Sequence, residues 1–469
     1  MRYGRYGIQW LAVLAGGMAS LSVTAVSAND LLDAYHRAQQ QDATLQAALY
    51  QRDAAVQARP EALAAFLPRL TASSRLTRER ANFDQAQGSV VQSGGGVVPV
   101  NPGASYGTLR QYALTLDQTL WSFGDFYQLQ SADFQAAQAE AAYRSTQQKL
   151  ILRVESAYFG VLSAVDRLRT NRLERDAFAT LLDQAEKRQQ TGLAARTDVE
   201  EAQSFYDATA QSVIDAQDAL DDAVRALQEI TAGTPTRLAP LRESIPLVEP
   251  DPPAPQAWVE TAKQNNFDLR AQRLSARAAE RQIDASWSQR LPTLNLQGNW
   301  IRDDNSAVFG DGDRLGSVGL VVNWPIFQGG AVRARVQQAR ASWRQARAQL
   351  EALRRSVDRQ TRAAYRGVTL GADRVRADRK AVDSGKAAVE ASRIGVEFGS
   401  RTEFDLLNAQ TNYYNTLRAY LQSRYDYLIS LLTLKQLAGS LSEGDLQRID
   451  SMLAPGNTVD LNALQAVSP

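Results

Sequence analysis

The sequence contains no cysteine, and this absence excludes several kinds of site. Without cysteine there is no disulfide scaffold, no thiolate metal site and no lipid-bearing N-terminal cysteine. The only histidine is His36, so candidates for a catalytic site are few. We interpret His36 as a helix-surface residue, and the sequence indicates no enzyme, no metal and no cofactor.

The chain also lacks an excess of either charge. It has 52 Lys and Arg residues against 51 Asp and Glu residues, for a net charge of +1. A protein that binds nucleic acid needs a strongly basic face to contact the phosphate backbone. The composition therefore argues against nucleic acid as a partner.

Long hydrophobic runs are confined to the start of the chain. Arg2 and Arg5 precede an apolar stretch from Ile8 to Val26, and small residues follow at Val26-Ser27-Ala28. This order is typical of a secretory signal peptide over residues 1–28. An uncleaved membrane anchor is the alternative, although glycines and serines within the stretch weaken it. No later run approaches the roughly 20 apolar residues of a membrane-spanning helix, so strands would have to make any bilayer contact.

Proline is absent from two long spans, between Pro102 and Pro235 and between Pro325 and Pro455. Both spans therefore lack the strongest helix breaker, and apolar residues recur in them at three- and four-residue spacing. Each span predicts a helix of about 100 Å, at about 1.5 Å per residue, followed by a shorter helix. The predicted helices cover approximately residues 31–64, 126–191, 198–230, 256–289, 331–397 and 404–437.

Two segments about 207 residues apart repeat one pattern, TGLAARTDVEEAQSFYDATA and FGSRTEFDLLNAQTNYYNTL. Gly192 and Gly399 occupy matching positions and suit the left-handed residue that follows a helix end. The motifs Thr197–Glu200 and Thr402–Asp405 resemble capping boxes for the next helix. The repeated phrase thus predicts a turn between the long and the short helix of each half.

Alternating apolar residues predict a pair of strands before each long helix. The segments RQYALTLDQTLW and GSVGLVVNW alternate apolar with polar or small residues, and their expected partners are LPRLTASSRLT and LPTLNLQGNWI. Strands of about ten residues are long enough to cross a bilayer at a tilt. The loops QSGGGVVPVNPGAS and DDNSAVFGDGD would join the strands of each pair.

A short motif follows each strand pair. LWSFG contains Gly124, and PIFQGG contains Pro325, Gly329 and Gly330. Glycine permits the bend and the close backbone approach that are needed where a strand becomes a helix. We therefore predict strand–helix junctions at these residues.

These patterns divide the mature chain into two repeats of helix, hairpin, long helix and short helix. We assign residues 29–233 to the first repeat and residues 256–440 to the second. Residues 234–255 are dense in proline and predict an extended connector that lies outside any helix. Residues 441–469 are interpreted as a polar tail.

Four strands cannot seal themselves in lipid. The two edges would leave backbone donors and acceptors without partners, at several kcal/mol each. Two copies would supply about eight strands and three about twelve, but side chains already fill an eight-stranded barrel. The sequence therefore predicts association, and only the larger closure leaves a wide lumen.

With these features, residues from about 29 to 439 resemble the TolC family of outer-membrane exit ducts. The resemblance rests on the two-fold repeat, the LP pairs before the hairpins, the WSFG and PIFQGG junctions, and the G-x-R-T…D…A turn at Gly399–Ala409. It implies an α+β membrane protein in which four transmembrane strands per protomer form a 12-stranded barrel in a homotrimer. A long periplasmic α-helical tunnel would continue the barrel.

The resemblance further implies a location and partners. The protein would contact outer-membrane lipid and extend into the periplasm. It would dock to a periplasmic membrane fusion (adaptor) protein and to an inner-membrane ABC or RND-type transporter, in type I secretion or multidrug efflux. A periplasmic coiled-coil scaffold or adaptor is the alternative, but such a protein would not need four alternating strands.

The resemblance also implies a periplasmic gate at the helix turns. In such ducts polar links between neighbouring helices help to hold the mouth shut, so Arg401 would bond to Thr197 or Asp198. Asp405 would point into the bore, whereas Asn408 stands where some members carry a second acid. The alternative is that Thr197 and Asp405 only cap helices and that Arg401 is a solvated side chain.

Overall fold

The computed structural model describes residues 30–83, 89–91, 97–99, 103–306 and 314–466. The expected signal peptide and parts of both predicted hairpin loops lie outside these residues. Within the described residues, each half of the chain follows the predicted order of helix, hairpin, long helix and short helix.

The first half contains the longest helix of the described chain, which has 68 residues and spans about 100 Å at about 1.5 Å per residue. It confirms the long helix that the proline-free span predicts. The elements are α1 (Leu31–Gln41), α2 (Ala43–Val56), α3 (Ala58–Ala64), β1 (Arg69–Phe83), β2 (Ser89–Val91), β3 (Val97–Pro99), β4 (Gly103–Trp121), α4 (Phe123–Gln190) and α5 (Arg196–Thr231).

The second half repeats this order and adds a C-terminal extension. Its long helix has the predicted bounds. The elements are β5 (Arg237–Leu238), α6 (Pro255–Asn265), α7 (Phe267–Ser288), β6 (Thr293–Ser306), β7 (Arg314–Asn323), α8 (Ala331–Glu397), α9 (Glu403–Leu437), α10 (Glu443–Asp450), a 3₁₀ turn (Pro455–Asn457), β8 (Val459–Asp460) and α11 (Leu461–Ala466).

The helix predicted ahead of each hairpin is interrupted, so the prediction of one continuous helix there is wrong. A buried polar residue ends the first segment and caps the next. Leu45 N donates to Asp42 Oδ1 at 2.7 Å, and Leu269 N donates to Asn266 Oδ1 at 3.0 Å. A side chain that satisfies a free N–H at a helix start stabilises that start, and here it does so at matching positions of the two halves.

The four long strands form one antiparallel sheet in the order β1-β4-β6-β7. Leu70, Leu116, Gly298 and Val318 are aligned across all four strands. Because side chains alternate along a strand, this row lies on one face, and the face is apolar. It is also open to solvent in the protomer, where Val318 is 77% exposed. The alternation predicted from the sequence is confirmed, and β1 and β7 are left as the two edges.

The strand–helix junctions differ in their need for glycine. Gly124 lies inside the first turn of α4, and a Cβ atom there would lie 3.7 Å from Ser122 Oγ, an ordinary contact. The expectation of a close backbone approach at Gly124 is therefore wrong. Gly329 and Gly330 have φ values of 57° and 82°, which favour glycine, and Pro325 precedes them in the irregular segment after β7.

The core is built around the middle of α4. Its apolar stripe confirms the predicted helical face, and it packs against α5, α9 and the connector. The Phe159 and Tyr425 rings are 5.4 Å apart, and the Tyr158 hydroxyl donates to the Ala239 carbonyl at 3.0 Å. Each fully buried large side chain contributes about 1.5–3 kcal/mol. The stripe consists of Ile151, Val154, Tyr158, Val161, Leu162, Val165 and Leu168.

The interpretation of residues 441–469 as a polar tail is wrong for the described part, 441–466. Leu446 and Ile449 of α10 are 0% and 1% exposed within the main core. Strand β8 pairs with β5 of the connector, and Arg242 Nε donates to the Leu453 carbonyl at 3.0 Å. The connector stays outside any helix up to Pro255, where α6 begins. Connector and C-terminal segment therefore fold together against the middle of the long helices.

Candidate functional site

The two helix turns, α4–α5 and α8–α9, lie side by side at one end of the protomer. The Phe205 ring of α5 is 5.5 Å from Phe178 of α4 and 6.4 Å from Phe404 of α9. Each turn contains a glycine in the left-handed region, Gly192 with φ of 75° and Gly399 with φ of 70°. The fold thus brings the repeated phrases of the two halves together.

A capping box starts α9. Asp405 N donates to Thr402 Oγ1 at 3.1 Å, and Asp405 Oδ2 accepts from Thr402 N at 2.9 Å. The backbone N–H and the hydroxyl of Thr402 lower the pKa of Asp405, and Arg401 adds a smaller contribution. Asp405 is exposed, and its lowered pKa keeps it ionised at neutral pH. The two hydrogen bonds hold it at the first turn of the helix.

The start of α5 is arranged differently from the predicted capping box. Asp198 Oδ2 accepts from Ala195 N at 3.0 Å, so Asp198 rather than Glu200 reaches back to the helix start. Glu200 instead pairs with Arg196, 3.3 Å away and four residues earlier. Thr197 lies inside the first turn of α5, and the box predicted at Thr197–Glu200 is wrong.

Arg401 lies against the last turns of α8. Its Nη1 donates to Ser392 Oγ at 3.2 Å, and a Cβ atom at Gly395 would lie 2.9 Å from Arg401 Cγ. Within the described residues of one protomer, Arg401 makes no hydrogen bond to Thr197 or Asp198. The small residue at 395 is therefore what lets the arginine stem lie flat on the helix.

An ion pair that the sequence reasoning missed joins the two halves at this end. Arg188, in the last turn of α4, contacts Glu403, in the first turn of α9. Their side chains are 38% and 20% exposed, so the pair is partly shielded from water. A base in the last turn of a helix and an acid in the first turn of another are a visible signal, but only the fold shows that they meet.

A groove runs beside this pair between α4, α8 and α9. Its volume is about 630 Å³. It mixes apolar and charged side chains and lies next to both helix turns. The lining includes Leu181, Arg188, Arg393, Glu397, Leu406 and Gln410.

The described residues offer few candidates for a metal site or a catalytic site. They contain no group of three or more His, Cys, Asp or Glu side chains that could hold a metal ion. In the same part of the chain, none of the helices has the length and apolar character to cross a membrane. His36 is exposed on α1, where its Nε2 lies 3.1 Å from Glu443 Oε1.

The fold of this chain is similar to that of solved bacterial outer membrane channels. The CmeC outer membrane channel of Campylobacter jejuni superposes with a TM-score of 0.74 at 15% identity, covering 96% of this chain and 98% of that one. The chain therefore shares its fold with this outer membrane channel.

Sequence comparison is more specific. The outer membrane efflux protein family matches residues 34–233 and 258–440. The outer membrane protein TolC of Vibrio cholerae is 31% identical over 445 residues, covering 94% of this chain and 97% of that protein. The alkaline protease secretion protein AprF of Pseudomonas aeruginosa is 28% identical, covering 91% and 88%. The chain belongs to the outer membrane efflux protein family, and it is an export channel rather than an enzyme.

Proposed function

We propose that three copies of this chain form a channel-tunnel that exports substrates across the periplasm and the outer membrane. The sheet carries this proposal, because β1 and β7 end it and its apolar face is open. Unpaired edges are costly in lipid, so closure with sister copies into a barrel of about twelve strands would satisfy them. A soluble periplasmic scaffold would gain nothing from an exposed apolar sheet face.

The two repeats of the chain supply similar parts, and this supports a ring in which those parts alternate around one axis. We propose that, after a signal peptide of residues 1–28, residues 29–233 and 256–440 each supply one hairpin and one helix pair. Residues 234–255 would join them and remain outside the tunnel wall. Six hairpins and six helix pairs would then surround one axis, about which three chains repeat.

Export requires partners, because the channel has no energy source of its own. We propose that the tunnel docks to a periplasmic membrane fusion (adaptor) protein and to an inner-membrane ABC or RND-type transporter. The similarity to AprF, named as an alkaline protease secretion protein, supports a role in secretion, which we propose is type I secretion, and the family name supports efflux. The groove beside Arg188 would then be a docking surface for the adaptor at the periplasmic end.

The helix turns are proposed as the periplasmic gate. Arg401 of one copy would bond to Thr197 or Asp198 of the next copy, and Asp405 would face the bore. Exposed ion pairs contribute only about 0–1 kcal/mol each, so three of them would form a latch that a docking partner can open. Three carboxylates about 8 Å apart would repel by about 0.5 kcal/mol per pair in water, which a hydrated constriction tolerates.

Single-channel recording of the purified protein in planar bilayers tests this function. We expect wild-type protein to conduct, Arg401→Ala to raise the resting conductance, and Asp405→Asn to reduce cation selectivity. Arg175→Ala is the control, because Arg175 pairs with Asp176 in the middle of α4. Absence of any conductance would contradict the channel, whereas unchanged conductance in Arg401→Ala would contradict only the latch.

A further inference from the structure

Charge is segregated between two helices of a nearly neutral chain. Helix α8 carries sixteen Arg and Lys residues against seven acidic residues, a net charge of +9. Helix α5 carries nine acidic residues against two basic ones, a net charge of −7. The whole chain has a net charge of +1, so composition alone does not explain this separation.

These two helices lie at opposite edges of the protomer. Helices α4 and α9 pack against each other in the middle, where Arg418 Nη1 lies 2.5 Å from Glu174 Oε2. Helix α5 packs on α4 and α8 packs on α9, and α5 and α8 share no extensive packing within the described chain. The strands of the sheet are ordered in the same sense as the helices. Edge strand β7 leads into α8, and the other edge strand, β1, follows α1–α3.

The side of α8 that points away from α9 is basic. Val368 and Val375, seven residues apart, are buried on the α9 side. On the opposite side, positions 359, 366, 373 and 380 form one seven-residue row, in which Asp373 pairs with Arg376 at 2.8 Å. Arg359, Arg366 and Lys380 supply the other three positions, and all three are exposed. We call this set the basic face.

An open groove marks the sheet-proximal part of the basic face. Its volume is about 410 Å³, and six basic side chains line it against two acidic ones. Glu351 pairs with Arg355 and Asp358 pairs with Arg362, so the six bases and two acids of the lining leave a net charge of +4 there. The lining residues are Lys263, Glu351, Arg354, Arg355, Asp358, Arg359, Arg362 and Arg366.

The side of α5 that points away from α4 is acidic. Asp215, Asp222 and Glu229 are spaced by seven residues and exposed. Leu220 and Leu227 are buried on the other side of the helix, against the core. We call the three acidic residues the acidic face.

Two contacts of α4 relate the heights of α5 and α9 along the bundle. Asn171 Nδ2 donates to the Ser212 carbonyl of α5 at 2.8 Å, and Asn171 Oδ1 accepts from Arg418 of α9 at 3.0 Å. Residues 212 and 418 therefore lie at about the same height.

A contact between α8 and α9 places the basic face at that height. A Cβ atom at Gly385 would lie 3.5 Å from Tyr413 Cα, so these residues are level. Because α8 and α9 run antiparallel, the five residues from Tyr413 to Arg418 correspond to the five from Gly385 back to Lys380. Lys380 is thus level with Ser212, three residues before the first member of the acidic face.

We propose that the basic face of one copy packs against the acidic face of the next copy, forming an electrostatic seam at each of the three subunit contacts. The inference rests on the proposed trimer and names what joins its helical parts. A contact between different edges closes a ring when its rotation is one third of a turn. Like charges oppose the pairing of two basic edges or two acidic edges, so the seam also fixes subunit order.

Charge reversal tests the seam because each subunit carries both faces. The double variant Arg366→Glu/Lys380→Glu places acid against acid, and Asp215→Lys/Asp222→Lys places base against base. We expect each to lower the ratio of trimer to monomer in detergent at low salt by about tenfold or more, since like charges would face each other at every seam. The quadruple variant restores opposite charges at every seam, and we expect it to recover the trimer.

The measurement is native mass spectrometry at two ionic strengths, with Arg270→Glu/Arg277→Glu as the control. Arg270 and Arg277 are exposed on α7, which packs between α4 and α8 and not at an edge. Equal trimer content in all variants at both ionic strengths, or no recovery in the quadruple variant, overturns the seam. A wild-type protein that is monomeric under every condition contradicts the proposed channel itself, which separates the two failures.

Discussion

At the residue scale, Glu155 is an acidic side chain enclosed in the core. It is 0% exposed in the middle of α4, and neither carboxylate oxygen has a hydrogen-bond partner in the described part of the chain. Burial raises its pKa well above the ordinary value, because no nearby charge or donor compensates for lost hydration. The side chain is therefore held in its protonated form over part of the range in which a free glutamate is ionised.

Glu155→Gln is expected to change how stability depends on pH. Since the folded pKa is raised, the native state binds the proton more tightly, and its stability is fully present below the unfolded pKa of about 4.3. That stability falls by about 1.4 kcal/mol per pH unit as the pH rises toward the folded pKa. Glutamine removes this slope. Thermal unfolding followed by circular dichroism should therefore show the stability of the variant, relative to wild type, increasing from pH 5 upward.

Glu186→Gln provides the matched control for this measurement. Glu186 is on the same helix but is exposed, so Glu186→Gln makes the same chemical change without the burial. Identical pH dependence in wild type and Glu155→Gln would contradict the burial argument.

The candidate site could be predicted from sequence where the contacts are local. The Thr402–Asp405 capping box joins two residues three positions apart and is visible as a motif. The box expected at Thr197 is absent because α5 begins at Arg196, so Ala195 takes the cap position and Asp198 reaches back to it. The pair between Arg188 and Glu403 joins residues far apart in the chain, so no local pattern could reveal it.

At the scale of elements, the C-terminal segment has a structural role that its composition does not indicate. Helix α10 and strand β8 anchor the connector to the middle of α4. Leu446→Ala is expected to lower the free energy of unfolding by about 2–5 kcal/mol, because it leaves a cavity in the core. Gln447→Ala, at the exposed neighbouring position, should change it by no more than about 0.5 kcal/mol.

Denaturant titration of the helical signal in detergent compares these two variants. A Leu446→Ala variant as stable as Gln447→Ala would show that the segment is an appendage after all. The comparison also shows whether the buried side chains of the segment stabilise the fold although its composition is polar. The buried side chains are Leu446, Ile449 and Leu453.

The long helices and the hairpins could be predicted because their signals repeat over many residues. Proline-free spans, helical periodicity and strand alternation each average over ten positions or more, so single exceptions do not obscure them. The helix breaks at Asp42 and Asn266 have no such repeating signal. Each depends on one side chain, which is buried by elements that are distant in the sequence. The short strands β5 and β8 have two residues each and exist only as partners of each other.

At the scale of the whole molecule, three features of the described chain point to association with further copies. The apolar face of its sheet is open, its edge strands β1 and β7 each have a free side, and its outermost helices carry opposite charge. All three features are resolved by one arrangement, in which each copy meets the next edge to edge. The central claim is therefore that three copies close one barrel and one tunnel.

A structure of the mature protein extracted from outer membranes in detergent, determined by electron cryomicroscopy, tests this claim most directly. The account predicts three chains around one axis, with β7 of each copy hydrogen-bonded to β1 of the next and a continuous lumen through barrel and helices. A detergent-free, water-soluble monomer, or an assembly in which β1 and β7 of neighbouring copies are unpaired, would contradict it.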